Sequence, residues 1–120
     1  KAIETRHSQN WVDEVISDTN KLVERVKIAK NNKEIVSIAY HGNIVDVWES
    51  FYDNNIMVDI GSDQTSLHNP WSGGYYPVGY SFEDANKLIY ENPEKFKTEV
   101  KLTLKKHVEI INKHVKNKTR

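Results

Sequence analysis

With 120 residues the chain has room for one domain, and its 17 basic and 17 acidic side chains cancel, which removes the simplest argument for nucleic acid or an anionic membrane as partner. The absence of cysteine excludes disulfides, zinc–thiolate sites and a thiol nucleophile within these residues. Leu, Ile, Val and Phe make up about a quarter of the chain, above the level of disordered sequences, and no membrane-length apolar run or secretory leader is evident, so a soluble cytosolic globular piece is expected.

From Trp11 to Lys30 the residues Val12, Val15, Ile16, Leu22, Val23 and Val26 recur at three- and four-residue spacing, which predicts a helix capped by Asn10 or Ser8. Ile35 to Tyr40 is a short β-branched run and predicts a buried strand. His41-Gly42-Asn43 breaks it, and Val47, Trp48 and Phe51 resume helical spacing from Ile44 to Tyr52. After the turn cluster Asp53-Asn54-Asn55, the run Ile56 to Ile60 predicts a second strand. Strand, helix and strand in that order imply a βαβ unit with parallel strands and a right-handed crossover. Gly61 to Gly79 forms a long loop carrying Trp71, Tyr75 and Tyr76, and a loop of that length is usually functional or disordered. Its aromatic content favours function. Ser81 and Asp84 form a capping box for a helix over Ala85 to Tyr90. Asn92 and Pro93 then open a last helix with an apolar stripe of Phe96, Val100, Leu104, Val108, Ile111 and Val115. The fold class expected is therefore α/β, a Rossmann-like piece with a short parallel sheet near 35–40 and 56–60 flanked by helices.

Charge is unevenly spread. Residues 1–33 carry seven basic and five acidic groups, residues 34–90 one and eight, and residues 91–120 nine and four. The lysines of the last segment alternate with apolar residues at helical spacing, so a solvated helix face is the plainer reading than a phosphate-binding arm.

Ligands of open parallel sheets bind beyond the carboxyl ends of the strands. The two predicted exits are His41-Gly42-Asn43 and Gly61 to His68, where Asn43, Gln64, Thr65, Ser66 and His68 supply donors and acceptors. The helix starting near Ile44 adds free N–H groups. Asn43 fits a simple helix cap equally well, and the polar loop could satisfy its own backbone, so spacing alone leaves the two readings level. Other constellations are weaker. Asp63, Ser66 and His68 crowd one loop without a nucleophile elbow, and His41, His68, Asp59 and Asp63 lack metal-ligand spacing, so no metal site is expected. His107 and His114 are expected on the solvated face of the last helix, and the Asn117-Lys-Thr119 acceptor pattern is taken as chance. No G-x-G-x-x-G fingerprint is present.

Tyr40-His-Gly-Asn-Ile-Val-Asp-Val-Trp48, then Asp59-Ile-Gly-Ser-Asp-Gln-Thr-Ser-Leu-His-Asn-Pro70 and Gly73-Gly-Tyr-Tyr-Pro77, resemble the urocanate hydratase (urocanase) family. The likeness runs from Glu4-Thr-Arg6 to the last helix, and the Gly-Gly-Tyr-Tyr form with the Trp48 neighbourhood is closer to the animal-type branch. The resemblance implies a cytoplasmic, homodimeric lyase of histidine breakdown. Such an enzyme adds water to urocanate to give 4-imidazolone-5-propionate and uses NAD⁺ as an electrophile rather than a hydride acceptor. Carried over by motif, its cofactor-binding residues fall on Asn43 and Ile44, on Gln64, Thr65, Ser66, Leu67 and His68, and on Tyr75 and Tyr76. Ile44, Leu67 and Tyr76 depart from the commoner bacterial residues.

The family's glycine-rich NAD segment lies upstream of the matching region and its catalytic cysteine downstream. Residues 1–120 therefore read as a single fragment of the NAD-binding domain, inactive without the remainder of the chain and holding no catalytic residue of its own. The competing reading is a non-catalytic nucleotide or nucleic-acid module using the lysines of residues 91–120, which mixed charges on a helix do not favour.

Overall fold

A computed structural model describes residues 2–62 and 69–120. The chain divides into two compact units, Lys1–Ile56 and Met57–Arg120.

The first unit contains α1 (Ala2–Ser8), β1 (Glu14–Ile16), α2 (Thr19–Asn32), β2 (Ile38–Tyr40) and α3 (Ile44–Asp53). β1 and β2 form a two-stranded parallel sheet in which Glu14 pairs with Ile38, Val15 with Ala39 and Ile16 with Tyr40. The α/β class and the short parallel sheet are as the sequence predicts, but the pairing differs. The helix expected over 11–30 is two elements. Asp13 Oδ2 accepts from the backbone N–H and hydroxyl of Ser37, and the N–H groups of Asp13 and Glu14 donate back to the Ser37 carbonyl. That clamp holds the following Glu14-Val-Ile16 extended beside β2. Asp18, rather than Asn10 or Ser8, caps the helix by accepting from the Lys21 N–H at 2.8 Å. α2 ends at Lys33, which takes the left-handed conformation at φ 55° and donates to the carbonyls of Ala29 and Lys30. The crossover joining the parallel strands is thus α2, not α3. Leu22, Val23, Ala29, Val45, Val47 and Ile56 are buried in this unit. Arg25 reaches back from α2 to the carboxylates of Glu14 and Glu34, each at 2.7 Å, and ties the helix to the segments on either side of it.

The second unit contains a short 3₁₀ turn (Pro70–Ser72), α4 (Phe82–Glu91) and α5 (Pro93–Lys116). Both predicted caps are present: Ser81 Oγ accepts from the Asp84 N–H and Asn92 Oδ1 from the Lys95 N–H, each at 3.0 Å. Its core is Tyr75, Ala85, Phe96 and Val100, with Tyr76, Tyr80, Leu88, Ile89 and Leu104 packed around it. The run 56–60 is not a strand. The carbonyls of Val58 and Asp59 accept from Thr119 Oγ1 and Arg120 N, and the Gly61 N–H donates to the Arg120 carbonyl. Backbone groups that a parallel ladder would use are therefore taken by the last two residues of the chain.

α5 also corrects the expected stripe. Its buried positions are Phe96, Val100, Thr103, His107, Ile110 and His114. His107 and His114, read from sequence as solvated, are 4% and 3% exposed.

Candidate functional site

The exit of β2 is built from its last residue outward. The His41 N–H donates to the Ile16 carbonyl at 2.8 Å, the final tie between the strands. Gly42 follows, and a Cβ there would lie 2.5 Å from Cε1 of Tyr40, because the tyrosine ring folds back over the turn. Burial, and then the charges of Asp46 and Asp18, hold the Tyr40 hydroxyl above its ordinary pKa. Asn43 has extended backbone, and its Oδ1 accepts from the Val45 N–H at 3.0 Å, which starts α3. The capping role allowed by the sequence is therefore real, and the same geometry aims the first turn of α3 beyond the carboxyl end of the strand. Ile44 stands 45% exposed on that turn, whereas Val45 beside it is fully buried.

An apolar groove of about 510 Å³ runs from this turn along β2, lined by Leu22 and Val26 of α2, Ile38 and Tyr40 of β2, and Ile44 and Phe51 of α3. That volume is within the range of small-molecule sites. Side chains alternate along a strand, so Val15, paired with Ala39, points to the face opposite Ile38 and Tyr40. On that face a second cavity of about 350 Å³ is lined by Ile3, Glu4, Val15, Ser17 and His41.

The remaining predicted residues are distributed differently. Gln64, Thr65, Ser66, Leu67 and His68 lie outside the described residues. Tyr75 and Tyr76 belong to the second unit. Tyr75 is 4% exposed, its hydroxyl hydrogen-bonded to His107 Nδ1 at 2.9 Å with the two rings stacked. The Tyr76 hydroxyl donates to Asn86 Oδ1 at 3.1 Å, and its ring packs on Phe82. Asn43 and Ile44 are thus together at one strand exit, while Tyr75 and Tyr76 are fixed by the packing of their own unit. Sequence reasoning missed the neighbouring exit at Ser17-Asp18, which follows β1. The available signal was Asp18, a strong N-cap residue just ahead of the Leu22-Val23-Val26 periodicity. Among the described residues no group of three or more His, Cys, Asp or Glu could hold a metal ion, and no helix is long and apolar enough to cross a membrane.

The sequence model of the urocanase Rossmann-like domain matches residues 1–120. The chain belongs to the urocanase family. It is 53% identical over 112 residues to a protein of Dictyostelium discoideum described as a probable urocanate hydratase, covering 92% of this chain and 16% of that protein. Urocanate hydratases of Mus musculus and Homo sapiens are 43% and 42% identical, each match covering 98% of this chain and 18% of the relative. The chain therefore spans less than a fifth of the length of these urocanases.

Proposed function

We propose that residues 1–120 serve as part of the NAD-binding domain of a longer cytoplasmic urocanate hydratase, which adds water to urocanate to give 4-imidazolone-5-propionate. The observation that carries this reading is the position of Asn43 and Ile44. The two residues matching the family's cofactor motif stand at the carboxyl end of a parallel strand, on a helix start, beside an apolar groove. Those features suit part of a dinucleotide. The first-turn N–H groups of α3 that Asn43 does not cap suit its polar atoms, and the groove suits a flat heterocycle. Asp46 in the same turn disfavours a phosphate close by, so this exit fits a sugar or base better than the pyrophosphate.

NAD⁺, when bound, supplies an electrophilic carbon to the imidazole of the substrate. The work left to this chain is positioning and electrostatics. Asn43 orients the turn by its hydrogen bond to Val45, and Gly42 lets the backbone pass under the Tyr40 ring. Gln64, Thr65, Ser66, Leu67 and His68, with Tyr75 and Tyr76, are proposed as the other cofactor contacts on the strength of the family motif. The chain has no cysteine.

The test is cofactor content of the full-length enzyme. Asn43→Ala should purify with reduced NAD, measured on the supernatant after denaturation, while retaining a folded circular-dichroism spectrum. Loss of one cap costs on the order of 1 kcal/mol, which a protein of this length tolerates. A full complement of NAD in the folded variant would overturn the assignment.

A further inference from the structure

α5 carries two adjacent stripes at helical spacing. The first, Phe96, Val100, Thr103, His107, Ile110 and His114, is buried. The second is Leu104, Val108, Ile111 and Val115, spaced four, three and four residues apart and displaced by one residue position along most of the helix. Leu104 is partly covered by the core of its own unit, but Val108 and Val115 are 58% and 55% exposed. Four-three spacing is the seam that a packed helix uses, and an apolar stripe beside the buried face gives α5 a surface suited to a second helix. Lys101 lies one heptad before Val108 and Lys105 one turn before it. Lys105 is 76% exposed and lies 4.0 Å from Glu109 one turn on, a surface pair that solvent screens, and Lys101 lies above the ring of Trp71 at 5.9 Å. The segment as a whole, residues 91–120, has nine basic and four acidic groups.

We propose that the Val108–Val115 face of α5 is an internal interface of the full urocanase chain, covered by an amphipathic helix with acidic residues along its edge, contributed by the part of the chain outside these 120 residues. Three observations select that occupant. Relatives are five to six times longer than this chain, since it covers 16% to 18% of them, so ample chain exists to supply the helix. The basic border asks for acidic residues opposite. A second copy of the same face would set Lys101 and Lys105 against like charge, which disfavours a two-fold contact through this stripe.

The experiment is hydroxyl-radical footprinting of the full-length enzyme, compared with the same chain unfolded in urea. Val108 and Val115 should be protected several-fold in the folded enzyme, as fully buried Val100 is. Labelling at the unfolded rate would show the face open to water and overturn the proposal. Protection that disappears when the folded enzyme is diluted to monomers would assign the face to a second copy, and would overturn it as well. The charge clause has its own measurement. Lys105→Gln, compared with Lys105→Gln in a Glu109→Gln background so that the local pair is cancelled, should lower the unfolding midpoint of the full-length enzyme in both backgrounds, with a smaller loss at high salt; no loss in the Glu109→Gln background would remove the acidic partner.

Discussion

Asp13 and Ser37 are 24 positions apart and meet through paired hydrogen bonds at the start of both strands. The Ser37 backbone N–H, and then its hydroxyl, hold the Asp13 carboxyl below its ordinary value of 3.8. A carboxyl whose pKa is depressed by folding contributes stability that is fully present above the unfolded pKa. That contribution is lost as pH falls through the folded value. Asp13→Asn should therefore reduce the unfolding midpoint near neutral pH, and the gap between variant and parent should close as pH drops below about 3.8. Equal gaps at pH 7 and pH 3 would show that the carboxylate charge contributes nothing. At this scale the sequence was readable where partners are close in the chain. Asn43, Ser81 and Asn92 each cap a helix two or three residues downstream, and each was recognisable as a cap. The Asp13–Ser37 clamp was hidden because nothing in either residue names a partner so far away, and the strand β1 was hidden with it.

The misread elements share one cause: local pattern without knowledge of what lies opposite. Val12, Val15 and Ile16 fit a helix face by spacing, yet Glu14-Val-Ile16 pairs with β2 and the helix begins only at Thr19. In α5 the expected stripe took mostly four-residue steps after Phe96. Each such step turns about 400° and drifts about 40° past the starting line, so by Val108 the stripe has left the face that Phe96 and Val100 bury. The true buried line alternates steps of four and three and stays in place, which brings His107 and His114 inside. The three polar residues on that line, Thr103, His107 and His114, gave no hydropathy signal, so composition hid the face that geometry required. Phe96 sits at the centre of the second unit with no exposed surface. Phe96→Ala should destabilise it by about 3–5 kcal/mol, the usual cost of removing a fully buried aromatic ring. Urea unfolding followed by tyrosine and tryptophan fluorescence would measure it, and a loss below about 1 kcal/mol would mean that the cluster closes around the cavity. For Ile56 to Ile60 the β-branched composition predicted a strand that is not there, because composition does not choose a partner, and residues 119–120 take the backbone groups instead.

At the scale of the molecule, the family was the most legible property of all, because it rests on contiguous motifs such as Tyr40 to Trp48 and Gly73 to Pro77 rather than on pairing across the chain. Of the proposed cofactor residues, the sequence let the local setting of Asn43 and Ile44 be read, and not what lies beside them. Asn43 and Ile44 stand at the exit of β2, but the helix that follows them is not the crossover the βαβ reading expected, and the adjacent exit is Ser17-Asp18, which no motif marked. A cofactor site divided among distant segments has a further consequence for the 120 residues in isolation. Catalysis in a urocanase needs its groups held together in productive geometry, and effective concentrations of that kind disappear when the partners are on no common scaffold. The isolated chain, with no cysteine to offer, should leave the ultraviolet absorbance of urocanate unchanged in the presence of NAD⁺. Its affinity for NAD should be no better than about millimolar, roughly −4 kcal/mol, because one strand exit supplies only part of the polar cradle a dinucleotide needs. Titration calorimetry separates the two outcomes. Micromolar binding by the isolated chain would show that these residues hold the greater part of the cofactor site by themselves, and measurable loss of urocanate would show that the reaction does not need the cysteine found elsewhere in the family.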